Sequence, residues 1–83
     1  MAIHAREHLS GGDAFVVNCT HQSNVLVMDD VNLRRYQQGE RAQYYGGFFK
    51  RFPAQVSVPV AGYWNILLEC PPGARYGMQT LKS

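Results

Sequence analysis

The chain is short of cysteine, of charge and of long apolar runs. Two cysteines, Cys19 and Cys70, serve 83 residues. A secreted mini-domain of this size usually carries four or more in a disulfide framework. Both lie in apparent strands, so the expectation is two reduced, buried thiols behaving as small apolar side chains. A disulfide between them is the alternative. No apolar stretch approaches the roughly 20 residues of a membrane helix. The start, Met1-Ala2-Ile3-His4-Ala5-Arg6-Glu7, puts charges where a secretory leader needs an apolar core. The expected location is therefore cytoplasmic, with no membrane association. The net charge is only +2, too small to imply a polyanion partner by itself. No internal repeat or low-complexity segment is present. Nor is a nucleophile elbow, a P-loop or a dinucleotide-binding glycine motif.

Enough apolar material remains for a core. At 46% hydrophobic and 17% charged, the chain is not of the disordered class. Residues 1–83 read as a single domain. A domain this small buries only about 60–65% of the surface of its unfolded chain. Self-association would relieve so thin a core and is one expected partner mode.

Alternation and turn chemistry give the fold class. Ala14–Thr20 is rich in β-branched residues. Val25-Leu26-Val27-Met28 is apolar at every position, as in a strand covered on both faces. The link between these two strands is short enough for an antiparallel pair. Asp29-Asp30 ends the second strand and caps a short helix near 31–38, which Gly39 stops. In Ala54–Val58 the residues Ala54, Val56 and Val58 face one way, and Gln55 and Ser57 the other. Trp64, Ile66, Leu68 and Cys70 share a face of the next strand. Trp64 is the expected core centre, because an indole buries more apolar surface than any other side chain here. A weaker strand lies within Ala74–Leu81. The sum is an all-β antiparallel sandwich or barrel of six to seven strands with one helical turn.

Gln43–Pro53 departs most from plain structural need. It holds Tyr44, Tyr45, Phe48, Phe49 and Phe52 with Gly46-Gly47, Lys50 and Arg51. The glycine pair in an aromatic strand predicts a bulge, a bend, or close approach of another backbone or a ligand. Cations gather in the same part of the chain. Arg34, Arg35, Arg41, Lys50 and Arg51 face only Glu40, so residues 34–51 carry +4 and the remainder −2. Interleaved rings and cations suit nucleotide-like small ligands, acidic protein surfaces, or single-stranded nucleic acid held by stacking plus phosphate contact. The structural alternative is that alternate rings fill the core while long cations cover its rim. The ligand-binding candidates are Tyr36, Arg41, Tyr44, Tyr45 and Arg51.

Catalytic and metal signals are weak. His4 and His8 share a face of a strand, but His21 or Cys19 completes a ligand set only if the first two strands pair. Cys19 with His21 is a poor nucleophile–base pair. Asp29-Asp30 is explained by strand end and helix cap. The expectation is no catalytic residue, no metal and no cofactor.

One combination is recognisable. Ser23–Asp30, then Asn32, Tyr36, Gly39, Arg41, Tyr44-Tyr45-Gly46-Gly47, Pro53, Val58-Pro59 and Gly62-Tyr63-Trp64 resemble a small bacterial domain family known only as a domain of unknown function. Its pattern runs N-V-x-L-M-D, N-x-x-x-Y, a Gly-Arg region, Y-x-G-G and V-P-x-x-G-x-W, and the likeness covers roughly residues 4 to 70. Gly39-Glu40-Arg41 stands where Gly-Arg is usual, and Cys70-Pro71-Pro72-Gly73 departs from the expected Gly-rich turn. The resemblance implies a mostly β fold and members found alone or beside TIR domains. By analogy it implies a sensing or adaptor module. It implies no activity, ligand or catalytic residue. Together these readings point to a non-enzymatic interaction or ligand-sensing module taking a protein or small ligand. Single-stranded nucleic-acid or nucleotide binding is the alternative.

Overall fold

Period-two burial decides where each strand sits. In the computed structural model, which describes residues 2–83, Ala54, Val56 and Val58 are buried and Gln55 and Ser57 exposed, as the alternation requires. The elements run β1 (Ala2–Leu9), β2 (Ala14–Cys19), β3 (Ser23–Asp29), α1 (Asp30–Gln37), β4 (Tyr45–Phe49), β5 (Ala54–Ser57), β6 (Gly62–Glu69) and β7 (Tyr76–Leu81). The seven strands form two antiparallel sheets, one ordered β1-β6-β3-β4 and the other β5-β2-β7. Of the sandwich and the barrel expected from the strand count, the two sheets make the sandwich.

The core lies between the sheets. Val25 and Val27 of β3 and Ile66 and Leu68 of β6 meet Phe15 and Val17 of β2 and Val56 of β5. Burying each such side chain contributes about 1.5–3 kcal/mol. The opposite face of β3 and β6 is also buried. There Leu26, Met28 and Leu67 lie under Leu33 and Tyr36 of α1. The helix is thus a third, partial layer, which explains why Val25–Met28 is apolar without alternation.

Two expectations are corrected. First, β2 and β3 do not pair. They belong to opposite sheets, β2 between β5 and β7, and β3 between β6 and β4. A short link serves a sheet-to-sheet crossing as well as a hairpin. Here the Thr20 and Arg75 backbones bond at 2.9 Å, and the Ser23 hydroxyl donates to His21 O at 2.9 Å. Those bonds hold the end of β2 beside β7 while the chain turns across. Second, Trp64 belongs to the core but does not occupy its centre. It is 6% exposed, against 0% for Ile66 and Leu68, and its indole N–H donates to Val60 O at 3.0 Å. A buried indole N–H needs a partner, and the one it finds lies in the turn between β5 and β6.

The rings of Gln43–Pro53 divide between core and solvent. Phe49 and Phe52 pack against the core, while Tyr44, Tyr45 and Phe48 are exposed. Gly46 pairs with Leu26 at φ +98°, and a Cβ there would collide with Val25 O. The glycine is therefore a place where another backbone comes too close for any side chain. Cys19 is half-buried and Cys70 buried, and no disulfide joins them. Asp13, buried in the β1–β2 turn, accepts from the backbone N–H groups of Ser10 at 2.8 Å and Ser83 at 2.9 Å. Those two bonds, Ser83 first, hold its carboxyl below the usual range. Among the described residues no helix is long and apolar enough to cross a membrane.

Candidate functional site

The candidate site grows from the start of α1. Asp29 leaves β3 with extended backbone and caps the helix, its Oδ1 accepting from Asn32 N at 2.9 Å. Asn32 Nδ2 donates to the same oxygen at 2.9 Å, which fixes the amide. Its Oδ1 then accepts from Gln43 N at 2.9 Å. At the far end, Gly39 takes φ +73° and Glu40 N–H donates to Arg35 O at 2.9 Å, so the chain turns back. Asn32 therefore clamps the returning segment 40–44 against the helix start. That segment leads into β4, whose Tyr45 pairs with Val27. The β3–β6 register sets Asp29 opposite Trp64. Tyr45 and Trp64 meet edge to face with ring centroids 6.0 Å apart.

These elements enclose an open cleft of about 550 Å³ lined by Asp29, Asn32, Arg41, Ala42, Gln43, Tyr44, Tyr45 and Trp64. Trp64 forms part of its wall, and Tyr44 and Tyr45 are each 47% exposed. Arg41 is exposed and has no ion-pair partner among the described residues. It lines the same cleft as Asp29 without reaching it as an ion pair. No His, Cys, Ser or Thr lines the cleft among the described residues. Its chemistry is three rings, one guanidinium, one carboxylate and two amides.

Three of the five residues singled out from the sequence, Arg41, Tyr44 and Tyr45, come together there. Tyr36 and Arg51 do not. Tyr36 lies on the inner side of α1, packed on the outer sheet face, and its hydroxyl donates to Glu69 Oε2 at 2.9 Å. That bond, with burial and the Glu69 charge, raises its phenol pKa. Arg51 is exposed in the link from β4 to β5 and lines no part of the cleft. Sequence reasoning missed Asn32, Gln43 and the double duty of Asp29 and Trp64. The helix-cap signal did place Asp29. Only the β3–β6 register could bring Trp64 to it.

A second polar cluster lies at the outer start of α1, and its groups are bonded to one another. Arg6 reaches Asp30 twice, at 3.1 and 2.8 Å, and its guanidinium lies 3.9 Å from the Tyr63 ring centre. Asn65, 0% exposed, donates to Asp30 Oδ1 at 2.8 Å and to Met28 O at 3.3 Å. Its own Oδ1 lies 2.8 Å from His4 Nε2. The hydrogen bonds from Arg6 and then Asn65 hold the Asp30 carboxyl down at about 2. The hydrogen bond to Asp30 in turn raises the Arg6 guanidinium pKa.

The residues weighed for metal binding are scattered. β1 pairs with β6 rather than β2, so His4 sits on Asn65, and His8 packs edge-on against Tyr63 at 5.1 Å. His21 is in the β2–β3 turn beside Thr20, and Cys19 lies 3.4 Å from Ser23 Oγ. Among the described residues, no three His, Cys, Asp or Glu side chains gather in a metal-binding group. Asp29 lines its cleft without His4, His8 or Cys19.

No curated protein and no solved structure matches the chain. A family model does. The one described as "Domain of unknown function (DUF1883)" matches residues 1–80, nearly the whole chain, so this protein belongs to the DUF1883 family.

Proposed function

We propose that this domain is a non-enzymatic ligand-binding module whose site is the cleft between the start of α1, segment 40–44 and β4. The observation that carries this reading is Arg41 with the exposed rings of Tyr44 and Tyr45 around a preformed cleft. Ligand sites are concave, about 300–1,000 Å³, walled by aromatic surface and a few placed polar groups. The cleft's size and lining fit that description. Its single carboxylate is committed to Asn32 through one oxygen, and among the described residues no Ser, Thr, Cys, His or Lys lines it, which favours capture over chemistry. A single-stranded nucleic acid is the weaker reading, because a polymer needs a track of cations. Of the five between Arg34 and Arg51, only Arg41 lines the cleft.

The test is a thermal-shift screen of small metabolites, since a ligand that binds only the folded state raises the melting temperature. A ligand at a hundredfold excess over Kd raises it by roughly 10 °C or more in a domain of this size. The shift is expected to vanish in a Tyr44→Ala, Arg41→Gln double variant. A screen with no hit, or hits indifferent to those substitutions, contradicts the proposal.

A further inference from the structure

Resting on the cleft as the ligand site, we propose that the ligand is a nucleoside carrying one phosphate, in open or cyclic form. Three features of the lining select that class. The first is ring surface: Tyr44 and Tyr45 are each 47% exposed at the cleft, with the largely buried Trp64 edge to face against Tyr45. Such surface takes a planar base by stacking. The second is Arg41, exposed at the cleft and unpaired among the described residues. A guanidinium matches a phosphate through two parallel N–H bonds.

The third is what the cleft keeps unspent beside them. Asp29 uses Oδ1 for both bonds to Asn32, which leaves Oδ2 to accept. Gln43 is held through its backbone N–H, which leaves its side-chain amide to donate and accept. Sugar hydroxyls and ring amino groups satisfy such atoms, whereas a simple aromatic acid leaves them unpaired. The charge balance limits the number of phosphates. Among the described residues, Arg41 is the one cationic side chain and Asp29 the one carboxylate lining the cleft. Arg41 can meet one phosphate group by its paired N–H donors, whereas a triphosphate brings further negative charge beside a carboxylate with no second cation among the described lining residues to meet it.

Trp64 is the only tryptophan and lines the site, so its fluorescence reports occupancy directly. The purified domain is titrated with the four nucleoside 5′-monophosphates and their 3′,5′-cyclic forms. Nucleosides, ribose 5-phosphate and triphosphates serve as the comparison arms. At least one monophosphate is expected to perturb Trp64 saturably. Its nucleoside, ribose 5-phosphate and its triphosphate should each bind about tenfold more weakly or worse. Arg41→Gln should lower monophosphate affinity to that of the nucleoside and leave the nucleoside unchanged, while Tyr44→Ala weakens both. Equal affinity for nucleoside and monophosphate overturns the proposal. So does the absence of binding by every mononucleotide. If another screened compound then binds in a manner dependent on Arg41 and Tyr44, the nucleotide class falls and the cleft reading stands. If nothing binds, both fall.

Discussion

Two arginine–tyrosine clusters lie at the first sheet, and they differ in what their atoms already do. Arg6 is bonded twice to Asp30 and lies over Tyr63, and Asp30 is shared with the buried Asn65. Arg41, beside Tyr44 and Tyr45, has no ion pair among the described residues, and its cleft is open. The residue types are the same. The first cluster fastens the start of α1 to β1 and β6. The second has its rings and charge left over for something else. Composition cannot distinguish a frame from a site; the count of spent hydrogen bonds can.

The largest expected effect breaks the strand that carries the second cluster's Tyr45. Gly46→Ala puts a Cβ against Val25 O at a φ that favours glycine, which should cost about 3 kcal/mol in urea unfolding. It should also displace β4, and Tyr45 with it. Asn65→Ala comes next. It empties a fully buried polar position that holds Asp30, Met28 O and His4, for about 2 kcal/mol. Binding in the cleft should persist, because Asn65 lines none of it. A parallel loss of binding would show that the two clusters are not separable.

Acid sharpens the contrast further. Asp30 is held at about 2 and Asp13 below its usual value, whereas an unfolded carboxylate titrates near about 4. A depressed folded pKa gives stability that is complete above the unfolded value and is lost as pH falls toward the folded one. The urea midpoint should therefore be insensitive to these two groups above about pH 5 and fall between about pH 4 and 2. Asp30→Asn should make that fall shallower, with Asp13 supplying what is left. The smallest stability effect belongs to the cleft itself. Arg41→Gln and Tyr44→Ala alter exposed side chains and should change unfolding by less than about 0.5 kcal/mol, while binding is lost.

Much of the frame was legible because short-range rules govern it. Period two placed Ala54, Val56 and Val58 inward, and the Asp29 cap and Gly39 stop bounded the helix. The sheet assignment of β2 and β3 was not legible, since a three-residue link does not say whether the chain turns within a sheet or crosses between two. Close approach was one of three readings of the glycine pair, and Gly46 realises it against Val25 O while Gly47 has open space; the pattern did not say which. Arg41, Tyr44 and Tyr45 stood out by type. Tyr36 stood out equally, yet its place on the helix turns it onto Leu26, Met28 and Leu67. Asp29 and Trp64 become neighbours only through pairing between strands distant in sequence. Local pattern carries no trace of that.

The most direct test of the contrast is an NMR chemical-shift map of the domain with a ligand found by thermal shift. Perturbations should centre on Arg41, Tyr44, Tyr45 and the Trp64 indole, with Arg6, Tyr63 and Asn65 unmoved. Perturbations centred on Arg6 and Tyr63, or on the outer sheet edges, with the cleft signals unchanged, would contradict it.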